Sequence, residues 1–159
     1  MAEKTEKSAE KAAEAAKIVR NHMFGSVASG ILPIPLIDIG ILTAIQLRMV
    51  KRLADHYDVK FSEQRARAII GSLAGLGLAA TAGGVLRMIV PGAAKALLGV
   101  GQLTVPAATT YALGRVFIEH FESGGTIWTF DAKRAKKTYD DELAAGKKVV
   151  EKSYAGVKP

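Results

Sequence analysis

Two uncharged stretches decide how this sequence folds: IIGSLAGLGLAATAGGVL at residues 69–86 and ALLGVGQLTVPAATTYALG at residues 96–114. At about 1.5 Å per residue, the first would make a helix roughly 27 Å long, just enough to cross the hydrocarbon core of a bilayer. A helix that is apolar on every face needs protein or lipid around it, and a chain of 159 residues encloses about one such helix. The pair therefore predicts a helical hairpin in a membrane, with a re-entrant hairpin or a Gly-rich soluble bundle as the alternatives.

The predicted hairpin is rich in small residues. Interior glycine weakens a helix in water, so its abundance here favours close pairing of helices. Gly71 and Gly75 form a small-xxx-small pair of the kind that lets two backbones approach each other. Pro106 predicts a kink in the second stretch, and nearby threonine hydroxyls would satisfy the carbonyls that proline leaves free. The residues expected at this membrane or oligomer interface are Gly71, Gly75, Gly77, Gly83, Gly84 and Pro106.

Before the hairpin, the sequence predicts an extended segment followed by an amphipathic helix. Pro33 and Pro35 favour extended backbone, so the helix is expected to start near Asp38, as its N-cap. From Leu42 to Tyr57, large apolar residues recur every three or four positions. This apolar face either packs on a protein core or lies in the headgroup region of an anionic membrane. The polar face carries Arg48, Lys51 and Arg52.

A basic helix is also predicted after the hairpin, beginning at Asp131 and placing one apolar stripe between Ala132 and Tyr154. The charged N-terminal residues are expected to form a solvated helix. These patterns divide the chain into a charged N-terminal helix at residues 1–23, a membrane-associated helical domain at residues 24–125 and a basic C-terminal helix at residues 126–159. The cations expected to form a basic surface are Lys51, Arg52, Lys133, Arg134, Lys136 and Lys137.

The composition excludes several kinds of chemistry. The chain has no cysteine, and therefore no disulfide framework, thiolate metal site or cysteine nucleophile. It contains no P-loop pattern, and His22, His56 and His120 lie far apart, outside any helical metal motif. The chain has a net charge of +7 but no nucleic-acid-binding motif. Basic residues that flank apolar stretches are instead typical of a membrane protein. We therefore expect no enzymatic activity, cofactor, metal site or nucleic-acid partner.

Two segments carry a family resemblance: IPLID at residues 34–38, leading to QLRMVKRL at residues 46–53, and ATTYALGRVFI at residues 108–118. Together with the stretch between them, they resemble the bacterial YcjF-type domain of unknown function over residues 24–125. The resemblance implies an all-helical, membrane-associated module without catalytic residues. It also implies work with a GTPase, which would act in trans because the sequence holds no GTPase domain. The motif residues are Pro33, Pro35, Asp38, Arg48, Thr110, Tyr111, Gly114 and Arg115.

As a whole, the sequence predicts an all-α helical bundle with a Gly/Ala-rich transmembrane hairpin flanked by amphipathic basic helices. The expected function is non-enzymatic anchoring or oligomerisation at the bacterial inner membrane, with a GTPase as partner. Basic residues outside the hairpin and the lack of a signal-peptide pattern predict that both termini are cytoplasmic. The alternative is a cytoplasmic structural protein that buries its apolar helices against copies of itself. A third possible function is transport through the hairpin. We do not expect it, because only Asp38, Gln102 and a few threonines would give a transport path polar lining.

Overall fold

The computed structural model describes residues 2–27, 35–79 and 100–155, and within these ranges the chain forms five helices. The helices are α1 (Ala2–Val27), α2 (Pro35–His56), α3 (Glu63–Ala79), α4 (Val100–Glu122) and α5 (Ala132–Tyr154). These ranges contain no strand, so the all-α prediction is confirmed. The cross-contacts show that α2 and α4 run in one direction while α1 and α5 run in the other.

The centre of the bundle is α4, which packs against each of the other four helices. Its buried residues cover every face of the helix, from Ala107 and Thr110 to Phe117 and Phe121. Although Val105 is half exposed, the second apolar stretch is therefore packed against protein from Ala107 onward. This is the one enclosed position that a chain of this length provides.

The first apolar stretch behaves differently, because the described part of α3 is amphipathic. Ile70 and Leu73 are buried in the core, whereas Ala68 and Gly71 face outward. None of the helices in the described ranges has the length and the apolar character needed to cross a membrane. The predicted membrane-spanning hairpin is thus not found among the described residues. The end of the first stretch, with Gly83 and Gly84, and the predicted connection after it lie in residues 80–99, outside the described residues.

The start of α2 corrects another prediction. The helix begins at Pro35, so Asp38 lies inside its first turn and is not the N-cap. Proline suits the first helical position, where its fixed φ is compatible and its missing N–H has no partner to lose. Pro33 lies outside the described residues. Met49 and Leu53 from the predicted apolar stripe are fully buried, so this face packs on the protein core, as one of the two alternatives held.

The flanking helices differ in how they compare with the predictions: α5 packs through its predicted stripe, whereas α1, expected to be a solvated helix, buries one face. In α1, Ala15, Val19, Met23 and Val27 recur every four residues and are buried, and the helix continues without a break past residue 23. The start of α5 is confirmed, since Asp131 is its N-cap and accepts hydrogen bonds from the backbone N–H of Lys133 and Arg134. All the apolar stripes of α1, α2, α3 and α5 turn toward α4, which fixes their rotation about their own axes.

A close contact at Gly114 holds α1 against α4. A Cβ atom built on Gly114 would lie 2.5 Å from Val19 Cγ2 and 2.7 Å from Val19 Cγ1. Carbon atoms that are not bonded prefer separations of about 3.5–4.0 Å, and the branched valine has little rotamer freedom in a helix. Gly114 therefore allows a helix approach that any larger residue would prevent.

We expect Gly114→Ala to lower the free energy of unfolding by about 1–3 kcal/mol, because the added methyl group overpacks this contact. Gly71→Ala is the matched control: it also lies within a helix, but its Cβ would meet nothing within 4 Å. That substitution should raise stability by about 0.5–1 kcal/mol through helix propensity alone. Urea unfolding followed by circular dichroism measures both. Equal effects of the two substitutions would contradict the assigned contact.

A buried hydrogen bond joins α2 to α4. Gln46 Nε2 donates to Thr110 Oγ1 at 3.3 Å, and the two residues are 3% and 0% exposed. Because an unpaired polar group in a core is unfavourable, this bond favours one register of α2 along α4 over its alternatives.

Thr110→Val should therefore destabilise the fold by about 1–3 kcal/mol, since it leaves the Gln46 amide without its acceptor. Combining it with Gln46→Met should recover most of the loss, because both partners are then apolar. Urea midpoints of the wild type, the two single variants and the double variant test this cycle. Additive effects of the two substitutions would show that the bond does not couple the helices.

Candidate functional site

The C-terminal ends of α1 and α5 meet the N-terminal half of α4 at one end of the bundle. A small hydrophobic cluster forms there from Met23, Val27, Ala107 and Val150, and Tyr154 packs against it. We call this region the apolar end. Residues 28–34 follow α1 directly and residues 80–99 precede α4, so the two undescribed internal segments connect to the bundle here or close by.

Three large apolar side chains are exposed at the apolar end. Phe24 is 42% exposed, Val105 49% and Val149 36%. Each lies one or two residues from a member of the buried cluster, on α1, α4 and α5 respectively. Single exposed apolar residues are common on proteins, but three at one end of the bundle, which we call the apolar patch, are the kind of exposed surface that binds a partner or a membrane.

Four cations lie on α1 and α5 at the same end of the bundle as this patch. Arg20 lies one helical turn before Phe24, and Lys147, Lys148 and Lys152 lie on the last turns of α5; all four are exposed. No carboxylate of the described residues forms an ion pair with any of them. We call these four residues the apolar-end cations.

The opposite end of the bundle is polar and held together by specific hydrogen bonds. His56 donates to the carbonyl oxygen of Lys11 at 2.8 Å, and Tyr57 donates from its hydroxyl to Glu122 at 2.9 Å. Burial, together with the hydrogen bond and charge of Glu122, raises the pKa of Tyr57 far above its ordinary value. Tyr57 therefore remains a hydrogen-bond donor, and we call this region the polar end.

A hollow of about 920 Å³ opens at the polar end. Small residues of α1 form one wall, and Tyr57, Phe121 and Glu122 form the other. Trp128, in the link between α4 and α5, is 48% exposed beside a neighbouring hollow.

The histidines have structural roles in this arrangement. The ring of His22 bonds to the carbonyl oxygen of Ile18, and that of His120 bonds to Thr126 at 2.9 Å. His56 joins α1 to α2 as described above. Within the described ranges, no group of three histidine or acidic residues could hold a metal ion.

The predicted motif on α4 contacts three different helices. Thr110 bonds to Gln46 on α2, and Gly114 lies against Val19 on α1. Arg115 Nε is 3.5 Å from the carboxylate of Glu142 on α5. The ring of Tyr111 packs on Gly146 of α5, where an added Cβ would lie 2.9 Å from its Cδ1 atom. These residues therefore hold the bundle together around α4.

The predicted basic surface divides into two kinds of cation. Lys51, Lys136 and Lys137 are each paired with an aspartate four residues later: Asp55, Asp140 and Asp141. Arg48, Arg52, Lys133 and Arg134 are exposed and form no ion pair with the described residues. Lys133 and Arg134 lie at the start of α5, next to Trp128 and far from the apolar end.

The predicted glycine and proline positions are only partly described. Gly71 is exposed with open space beside it. Gly75 and Gly77 belong to α3, but their surroundings lie outside the described residues. Pro106 lies within α4, where the Thr109 hydroxyl donates to its carbonyl oxygen at 2.9 Å. That bond is made to proline itself, not to the carbonyl one turn earlier that lacks an N–H partner.

Sequence reasoning missed three positions that the structure makes important. Gly146 interrupts the apolar stripe of α5, and that interruption was a usable signal for a close helix contact. Phe24 and Val149 gave no such signal, because an isolated large apolar residue on a helix looks the same whether it is buried or exposed.

The fold and the site define a small helical-bundle protein, in whose described residues no group of histidine and acidic side chains could hold a metal ion. The chain belongs to the DUF697 family, a domain of unknown function, and the match covers residues 2–148. It is 36% identical over 143 residues to magnetosome membrane protein 22 of Magnetospirillum gryphiswaldense, spanning 87% of this chain and 73% of that protein. No solved structure matches the chain. The expectation of a bacterial family of unknown function is therefore confirmed.

Proposed function

We propose that this protein is a non-enzymatic, membrane-associated helical protein that attaches to the membrane through its apolar end. The observation that carries the proposal is the patch of Phe24, Val105 and Val149, exposed where three helices meet. The name of the similar magnetosome membrane protein supports it. As predicted from the sequence, the proposal places the chain at the bacterial inner membrane with both termini on the cytoplasmic side.

The free energy gained by burying this patch is consistent with attachment at the membrane interface. Full burial of a valine or phenylalanine side chain contributes about 1.5–3 kcal/mol, and these three side chains are only partly exposed. Burial of the exposed parts of the three side chains therefore gives reversible membrane binding without any other contact. Apolar residues from one end of a bundle then enter the boundary between headgroups and acyl chains, as the apolar face of an interfacial helix does.

Liposome flotation tests this attachment with the full chain and vesicles of mixed neutral and anionic phospholipid. Replacing Phe24→Ser, Val105→Thr and Val149→Thr together should reduce binding at least tenfold, because the apolar contribution is removed. Trp128→Ser is the control, since it removes an exposed aromatic side chain at the other end. Failure of the wild type to float, or equal loss in both variants, would overturn the proposal.

Self-association in the membrane is a further part of the proposal. It is supported by the exposed position of Gly71, which leaves one face of α3 open to a second copy. Gly71→Leu with Gly75→Leu should therefore shift crosslinked oligomers toward monomer in liposomes, whereas Gly25→Leu, another glycine with open space, should not. An unchanged oligomer size would count against this interface. A large particle in the absence of lipid would instead favour the alternative function, self-assembly as a structural protein.

A GTPase acting in trans completes the proposal, and only the YcjF-type resemblance supports it. If the apolar end faces the membrane, the polar end with its hollow beside Tyr57 and Phe121 is free to receive such a partner. Sedimentation of the purified chain with a GTPase encoded near its gene, in the presence of GTP or GDP, tests this part. The absence of any complex in both nucleotide states would remove it.

A further inference from the structure

The apolar-end cations lie at the same level along the bundle as the exposed apolar patch. Arg20 and Phe24 are four residues apart on α1 and share one face, as do Lys148 and Lys152 on α5. At about 1.5 Å per residue, Lys147, Lys148 and Lys152 lie within about 5 Å of Val150 along the helix axis. Arg20 lies about 5 Å before Met23 on the same scale. Cationic and apolar side chains therefore occupy the same level of the bundle.

The carboxylates of the chain are distributed differently. Those of α5 lie mainly in its first half, where Asp140 and Asp141 pair with lysines one turn earlier. Glu151 is the one acidic residue among the last ten residues of α5, and it pairs with none of its lysine neighbours. In α1, the acidic residues all precede Ala15 and thus lie toward the polar end. Positive charge is left uncompensated at the apolar end.

We infer that the apolar-end cations bind the phosphate groups of anionic phospholipids, so that the bundle stands end-on on an anionic membrane. The inference deepens the proposed function and rests on it. The chemistry is that of a headgroup layer: lysine and arginine donate charge-assisted hydrogen bonds to phosphate oxygens while neighbouring apolar side chains enter the acyl region. Each cation near an anionic surface contributes about fivefold in affinity.

The end-on arrangement keeps the polar end away from the lipid. Val149 and the start of α5 at Ala132 are separated by roughly 26 Å at 1.5 Å per residue, and Trp128 lies beyond that start. Trp128 is the only tryptophan in the chain. Its emission therefore reports on the polar end without any label, which separates an end-on orientation from one in which α5 lies flat.

The first experiment measures binding to vesicles of pure phosphatidylcholine and to vesicles that contain 30% phosphatidylglycerol. Lys147→Gln with Lys148→Gln should weaken binding to the anionic vesicles about 30-fold, following the contribution per cation given above. Lys133→Gln with Arg134→Gln removes the same charge at the polar end and should change binding less than twofold. Arg20→Gln with Lys152→Gln gives a second pair at the apolar end, should the first variant not fold by circular dichroism.

The second experiment measures quenching by brominated phospholipids in the bound state. We expect Trp128 to be unquenched and unshifted, whereas a tryptophan placed by Phe24→Trp in a Trp128→Phe background should be quenched. Quenching of Trp128 would show that the bundle lies flat and would overturn the inferred orientation.

The outcomes separate this inference from the proposal on which it rests. Equal binding to neutral and anionic vesicles, or equal losses for the two lysine and arginine pairs, would overturn headgroup recognition while leaving membrane attachment in place. Failure to bind vesicles of either composition would overturn both.

Discussion

The enclosure of α4 is the constraint on which the rest of the structure depends. Its apolar residues cover the whole circumference, so it is stable in this fold only when other helices surround it. Two glycines permit that enclosure at close range, Gly114 beneath Val19 of α1 and Gly146 beneath Tyr111 of α4. The flanking helices each contribute one apolar stripe to the same core, and their polar faces remain outside.

Once the helices have packed in this way, the two ends of the bundle become chemically different. At the polar end, hydrogen bonds join distant parts of the chain, such as the bond of Tyr57 with Glu122. The apolar end exposes Phe24, Val105 and Val149, whereas the polar end exposes Trp128. Cations without a carboxylate partner among the described residues occur at both ends, with Lys133 and Arg134 at the polar one. A protein with one apolar end has a preferred orientation on a membrane surface. That asymmetry connects the fold to the membrane role proposed here, without requiring any helix of the described ranges to span the bilayer.

The kinship with magnetosome membrane protein 22 gives this asymmetry a context. The match covers 87% of the present chain, so it includes the greater part of the bundle and not a short apolar stretch alone. Residues that hold α4 in place, among them Thr110 and Gly114, also belong to the segments that resemble the YcjF-type domain. In this structure their contacts are packing contacts, so these motif residues hold the bundle together.

The sequence by itself determined the all-α class, the apolar periods of α2 and α5 and the cap at Asp131, because these depend on residues within a few positions of one another. It also predicted two helices that are apolar on every face; the described part of α3 is amphipathic, whereas α4 has this character. Only the tertiary structure decided what covers that helix, since hydropathy cannot distinguish a protein surrounding from a lipid one. Gly71 and Gly114 both occur in Gly/Ala-rich stretches, yet one faces open space and the other a valine side chain 2.5 Å from where its Cβ would be. The contacts that separate them join residues distant along the chain, such as Gln46 and Thr110, and local sequence carries no information about such pairs.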